Sequence, residues 1–244
     1  MNYSVDVDLS GAVKLTNALT KQIPFAMAKA LSQTAKNAQA QIVIVMQLVF
    51  DAPTPYTLNA TWVDTATPQK LVAEVKLKDE AYKGTPATKY LFPEVSGGAR
   101  RAKGAERRLQ EMLKIQSGQY LVPGQRAPLD RYGNITGGFM QKILSSLGAQ
   151  ADTYANTSKE SKKKAEAAGR LREFFIGRSP TGSKRLAIWE RRDRHLWPIF
   201  VIVDRAPTYH ERLRFYAIAE ETYARDYQTL FSSALADAIA TARL

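Results

Sequence analysis

Asp64, near the end of a β-prone stretch, is followed on the next stretch by Glu74-x-Lys76. These side chains have the types and spacing of a reactive set, since paired carboxylates can hold Mg²⁺ while a lysine helps activate water in a metal-dependent nuclease. Solvated charge patterning gives the same triplet on the polar face of an alternating strand, and Lys78 continues that face. His195 and His210 are 15 residues apart, which is not a helical metal pair, and packing or hydrogen bonding accounts for each. The serines lack a Gly-x-Ser-x-Gly elbow, and Gly97-Gly98 and Gly137-Gly138 lack the spacing of phosphate loops. Cysteine is absent, which excludes thiol catalysis, disulfides, Cys-ligated zinc and iron–sulfur clusters. No catalytic residue, cofactor residue or metal ligand is assigned.

The basic residues carry more information as clusters. Lys plus Arg is 35 and Asp plus Glu is 23, a net charge of +12 that favours a polyanionic or acidic partner. About half of the positive charge lies in three stretches, from Arg100 to Arg108, from Lys159 to Arg172 and from Arg178 to Arg194. The candidate DNA- or partner-contacting residues are Arg100, Arg101, Lys103, Arg107, Arg108, Lys162, Lys163, Lys164, Arg191 and Arg192. Many unpaired cations are too costly to bury, so the first two stretches are expected on exposed surface or loops. No RNA-recognition or basic-zipper signature is present, which argues against sequence-specific reading of a nucleic acid.

The elements that must position these residues follow from hydrophobic period and punctuation. Leu15 and Leu19 fit a short helix ending near Lys21, and Pro24 restarts the chain. Phe25, Met27, Ala30, Leu31, Ala35, Ala38 and Ile42 then mark a long alanine-rich helix that Pro53 and Pro55 stop. Residues 71–78 alternate with period two and residues 61–64 just before them are β-prone, which predicts a hairpin. The cationic stretch leads into a short helix through Leu109, Met112 and Leu113, and a cationic start opposes the helix dipole. Residues 120–134 read as an ordered loop, and Thr136 caps a helix carrying Phe139, Ile143, Leu144 and Leu147. Residues 148–168 are poor in large apolar side chains and rich in Ala, Ser and Lys, the composition of a mobile insertion. A second hairpin joins 174–177 to 186–190 through a turn at 179–182, and residues 196–203 form a buried strand. A long closing helix carries Tyr216, Tyr223, Tyr227, Leu230, Phe231, Ala234, Leu235 and Ala238, with the tyrosines assigned to packing.

The sum is one α+β domain over residues 1–244, a mixed or antiparallel sheet packed by two long helices from the N- and C-terminal parts of the chain. The first residues lack a basic head followed by an apolar run, and the most apolar stretch, 42–50, is about half of what a membrane span needs, so no membrane contact is expected.

The Ile23-Pro24-Phe25-Ala26-Met27-Ala28-Lys29-Ala30-Leu31 helix, a basic β-rich middle, Ile188-Trp189-Glu190-Arg191, the strand Trp197-Pro198-Ile199-Phe200-Val201 and the closing amphipathic helix follow one another in a recognisable order. The sequence thereby resembles the tail completion and neck proteins of tailed bacteriophages, including the minor tail protein Z type, over residues 9–46 and 172–244. The resemblance implies a virion structural protein at the head–tail junction, in the tail or neck, assembled in the host cytoplasm. It would form a ring of its own copies through which the genome passes, beside connector and tail-tube proteins and in non-specific contact with double-stranded DNA. No reaction is implied. The competing reading of the same residues is a non-specific DNA-binding protein or Mg-dependent nuclease.

Overall fold

The computed structural model describes residues 10–82, 84–168, 173–178, 185–192 and 195–241. In chain order they form α1 (Ser10–Val49), α2 (Pro55–Leu58), β1 (Thr61–Asp64), β2 (Glu74–Leu77), α3 (Ala87–Ser96), β3 (Gly98–Ala99), α4 (Gly104–Glu111) and β4 (Tyr120–Pro123). Then follow α5 (Gly137–Ser146), α6 (Lys159–Ala167), β5 (Glu173–Arg178), β6 (Leu186–Arg192), β7 (His195–Val203), β8 (Thr208–Tyr209) and α7 (Phe215–Ala240). The fold is α+β with antiparallel sheets, and the long N-terminal helix packs on the long C-terminal one. Where the sequence suggests one domain, the chain divides into two compact units, Met1–Ser96 with Glu211–Leu244, and Gly97–His210. Each has its own apolar core, because periodicity marks which faces are buried without saying which elements share them.

The first unit is built on the α1–α7 pair. Ala26, Ala30, Thr34, Ala38, Ile42 and Met46 are buried at every fourth position of α1, and Thr222, Ala234 and Ala238 keep the same spacing on α7. Small residues on i±4 ridges let two helices approach closely and interlock. The Lys29 ammonium meets Asp237 at 3.1 Å and the Asn37 amide donates to Asp226 at 2.8 Å, which fixes an antiparallel register. The Arg225 guanidinium at 2.6 Å, together with Asn37, holds the Asp226 carboxyl down to about 2. A seam of small residues pushes large ones to its flanks. Phe25 and Tyr223, expected in the core, are therefore 52% and 49% exposed, while Ile42 is fully buried. Tyr223, Tyr227 and Phe231 stack in a ladder along α7, with centroids 4.9 and 6.1 Å apart.

Pro24 lies inside α1, so the expected restart is corrected to a single helix of 40 residues. Proline removes one backbone donor, and the alanine-rich run beyond it, packed along α7, maintains the helix on its far side. The β1–β2 hairpin forms as its alternation predicts, with Asp64 opposite Glu74, and it packs on α1, where Gln39 donates to the Thr61 carbonyl at 3.1 Å. Around Ile42 and Met46 gather Leu91 and Val95 of α3 with Leu213 and Phe215.

The first unit is also where the chain leaves and returns. The Glu94 carbonyl accepts the backbone amides of Arg212 and Leu213, both at 2.9 Å, and the Arg212 guanidinium grips the Glu94 carboxylate at 2.8 and 3.0 Å. The second unit begins and ends on the paired short strands β3 and β8. Residues 97–210 are thus a domain inserted between two ends clasped to each other.

In the second unit the sheet order is β4-β7-β6-β5, all antiparallel. Leu109, Ile143, Leu144, Ile188, Ile199 and Phe200 are the heart of its core. The stretch Tyr120–Pro123, read as loop, is an edge strand instead, with its proline at the end, where a missing ladder donor is tolerated. Pro198 faces a register shift at Ile188/Trp189, so the central strand β7 absorbs its proline at a bulge. Thr136 caps α5 as expected, its hydroxyl accepting the Phe139 amide at 3.3 Å. Within 148–168 the chain forms a 3₁₀ turn and α6, capped by Ser158 and burying none of its residues. The expected turn at 179–182 lies outside the described residues.

Two measurements check this architecture. Ala38→Leu or Ala234→Leu should overpack the seam and cost about 1–3 kcal/mol, read as a lower midpoint of thermal unfolding, whereas the exposed Leu48→Ser should shift it by less than about 0.5 kcal/mol. Replacing residues 97–210 by a Gly-Ser linker of about four residues should leave a helical protein that melts cooperatively, because the clasp at Glu94 and Arg212 already holds the cut ends together.

Candidate functional site

A buried ion pair positions the first basic cluster. Arg100 is 9% and Glu106 1% exposed, and the guanidinium spans the carboxylate with bonds of 2.8 and 2.5 Å. The same carboxylate accepts the Lys103 amide at 2.6 Å and the Leu121 amide at 2.8 Å, while Arg100 also reaches the Leu121 carbonyl at 3.2 Å. Glu106 is therefore the third residue of α4 folding back on the helix start, and it also holds edge strand β4. Burial pushes the Glu106 carboxyl up, but the bonds from Arg100, Leu121 and Lys103 outweigh it and the net shift is down. The hydrogen bond to Glu106 raises Arg100. The expectation that Arg100 is an exposed contact residue is thus corrected, because a carboxylate six residues on takes its charge into the core.

Most of that cluster does face water, although burial and the neighbouring Arg100 charge push the Lys103 ammonium down. Arg101, Lys103 and Arg107 are exposed and Arg108 half-buried, and Arg101, Arg107 and Arg108 have no carboxylate partner among the described residues. Glu106 is consumed inside, so the first turn of α4 offers its neighbours no compensating charge.

On α6, Lys163 and Lys164 are exposed and Lys162 half-buried. Lys162 lines a cavity of about 480 Å³ between α5 and α6 that Lys142 also lines, beside Ser161, Thr157 and Glu173. Two lysines from separate helices thus line one cavity. Lys142 had no sequence signal, being a lone cation on an amphipathic helix. The third cluster is partly spent on its own sheet. Arg191 reaches Glu173 at 3.3 Å across the β5–β6 ladder and covers the Phe175 ring, while Arg192 pairs with the buried Glu190 at 3.0 Å. Arg126, also unflagged, stacks 4.5 Å over Trp197.

Asp64, Glu74 and Lys76 do come together, as the hairpin register requires. The Lys76 ammonium sits 2.7 Å from Glu74 and 3.8 Å from Asp64, and lies 5.6 Å over the Trp62 ring. Its hydrogen bond to Glu74 raises Lys76 and lowers Glu74, which is the opposite of what a proton-accepting lysine needs. Both carboxylates face an ammonium that a metal would have to displace. Among the described residues no group of three His, Asp or Glu converges on a metal position, and no helix is long and apolar enough to cross a membrane.

Compared with known proteins, the chain matches no family model, no curated protein and no solved structure.

The buried pair makes a measurable demand. Glu106→Gln leaves Arg100 charged in the core and should destabilise the unit by about 3–5 kcal/mol, read in the fluorescence of Trp189 and Trp197 during thermal unfolding, while Arg101→Ser should change little. The folded-state pKa of Glu106 lies below the ordinary carboxylate value, so its stabilisation is complete above that value and is lost as pH falls through the lowered one. In Glu106→Gln that acid-dependent loss should disappear.

Proposed function

We propose that this chain is a virion structural protein of a tailed bacteriophage, a tail completion or neck component at the head–tail junction. In this reading copies of the chain close into a ring through which the genome passes, between connector and tail-tube proteins, and no reaction is involved. The observation that carries it is the outer surface of the α1–α7 pair. Leu48 is 79% and Tyr216 75% exposed, with Phe25, Ile44, Tyr223 and Ile239 also open to solvent along the two helices. Large apolar side chains left open to solvent at both ends of a closely packed helix pair are candidate protein contacts, since aromatic and large aliphatic side chains anchor the desolvated centres of interfaces. A ring needs such rigid, repeatable faces to close with cyclic symmetry. The order of features by which the sequence resembles tail completion and neck proteins favours the same placement.

The test is direct. Antibody-gold labelling of intact particles against this chain should mark the head–tail junction and nowhere else. Label absent from particles, or spread over the capsid, overturns the placement. In solution the triple variant Phe25→Ser, Leu48→Ser, Tyr216→Ser should keep its helical signal and lose any oligomer that the parent forms on mass photometry.

A further inference from the structure

The two compact units differ in charge. Residues 97–210 hold 22 Lys and Arg against 10 Asp and Glu, which is 22 − 10 = +12, the net charge of the whole chain. The remaining residues hold 13 of each sign and balance to zero. Exposed apolar residues run the other way. Of the 17 large hydrophobic side chains exposed among the described residues, 12 belong to the neutral unit. An even scatter of solubilising charge would not separate in this way.

From this separation we propose that the unit Gly97–His210 is a binding module for the phosphate backbone of double-stranded DNA and that the other unit takes no part in that contact. The proposal deepens the reading above by naming the part of the chain that meets the genome, and it rests on that reading only for the choice of DNA among polyanions. Three features favour phosphate over an acidic protein face. Arg101 and Arg107 are exposed at the start of α4, and the carboxylate closest in sequence to them is locked onto Arg100. Lys163 and Lys164 are exposed on α6, a helix with no fully buried residue, on which Lys162 and Ala165 alone are half-buried. Lys142 and Lys162, from two helices, line one open cavity together with the Ser161 and Thr157 side chains and a single carboxylate, Glu173, which adds two cations to the same part of the unit. The unit holds only five of those 17 exposed apolar side chains, spread along the chain at Met112, Leu113, Leu129, Tyr154 and Leu196, whereas a protein interface organises its charges around a desolvated apolar centre. Cations without such a centre suit a regular lattice of phosphates, where contact releases counterions and no base is read.

The experiment uses the full-length chain and a mixed-sequence duplex of about 30 base pairs, with affinity measured by fluorescence anisotropy across salt concentration. The parent should bind with a steep negative dependence of log K on log salt that does not change with sequence. The variant Arg101→Ser, Arg107→Ser, Lys163→Ser, Lys164→Ser should bind at least about a hundredfold more weakly at low salt, with a slope shallower by about 0.9 for each phosphate contact removed. The variant Lys36→Ser, Lys70→Ser, Lys89→Ser in the neutral unit should bind as the parent does, and both variants should melt as the parent does. No binding by the parent at low salt overturns the inference, as does equal loss in the two variants. Poly-glutamate displacing the duplex as well as unlabelled DNA does, at equal charge, assigns the surface to an acidic protein and also overturns it. Junction labelling without duplex binding sinks this inference alone, and duplex binding without junction labelling sinks the placement alone.

Discussion

A carboxylate that is almost wholly removed from water costs several kcal/mol unless each lone pair finds a donor, and Glu106 meets that demand from three directions. Arg100 supplies the counter-charge, Lys103 the helix-start amide and Leu121 the amide of an edge strand. One side chain thereby joins the segment after β3, the first turn of α4 and the start of β4, none of which is long enough to hold itself. β3 has two residues, β4 four and α4 eight, all below the length at which local hydrogen bonding alone is stable. In the second unit these short elements take their places from the ion pair and from the core beneath Leu109 and Leu121.

The first unit solves its packing with little charge. Alanine contributes no side-chain entropy cost and few atoms, so a seam of Ala26, Ala30, Ala38, Ala234 and Ala238 obtains its stability from close backbone approach rather than from large buried side chains. A consequence is that large residues on the same helices have nowhere inside to go. Tyr223 of the α7 ladder and Phe25 and Leu48 of α1 stand exposed at the flanks because the seam is tight, while Tyr227 and Phe231 are half-buried, so what looks from the sequence like a core face is only partly one.

Period-two alternation at 71–78, the helix cap at Thr136, the hairpin before Trp189 and the two long helices were legible, since each is written in residues close along the chain. The alanine-rich run showed that α1 is long, but not that Pro24 lies within it, because tolerance of a proline depends on packing with residues near the other terminus. Arg100 was misplaced for a related reason. A run of cations reads as a solvated stretch, and only the Leu121 strand and the folded-back Glu106 reveal that one of them is structural. The Lys103-to-Glu106 spacing is that of a capping box with an atypical first residue, and it was the one local sign available. The convergence of Asp64, Glu74 and Lys76 was visible from alternation, whereas the direction in which the lysine shifts required the distances.

The clasp between Glu94 and Arg212 explains how one chain can carry two such different surfaces. Because the residues flanking the insertion bond to each other, the neutral unit closes its own backbone before and after the basic one, and the hydrogen bonds that define each unit lie within it. Net charge destabilises a compact body by self-repulsion, a cost that grows with the number of unpaired cations it holds. Residues 97–210 carry all of the excess, and the unit built on the α1–α7 pair carries none of it. A unit of zero net charge sets up no net field of its own, while the basic unit sets up a field that attracts polyanions. Had the same twelve charges been spread evenly, both units would present the same field to any partner, so the separation itself is the physical reason for the proposal that the two units serve two partners.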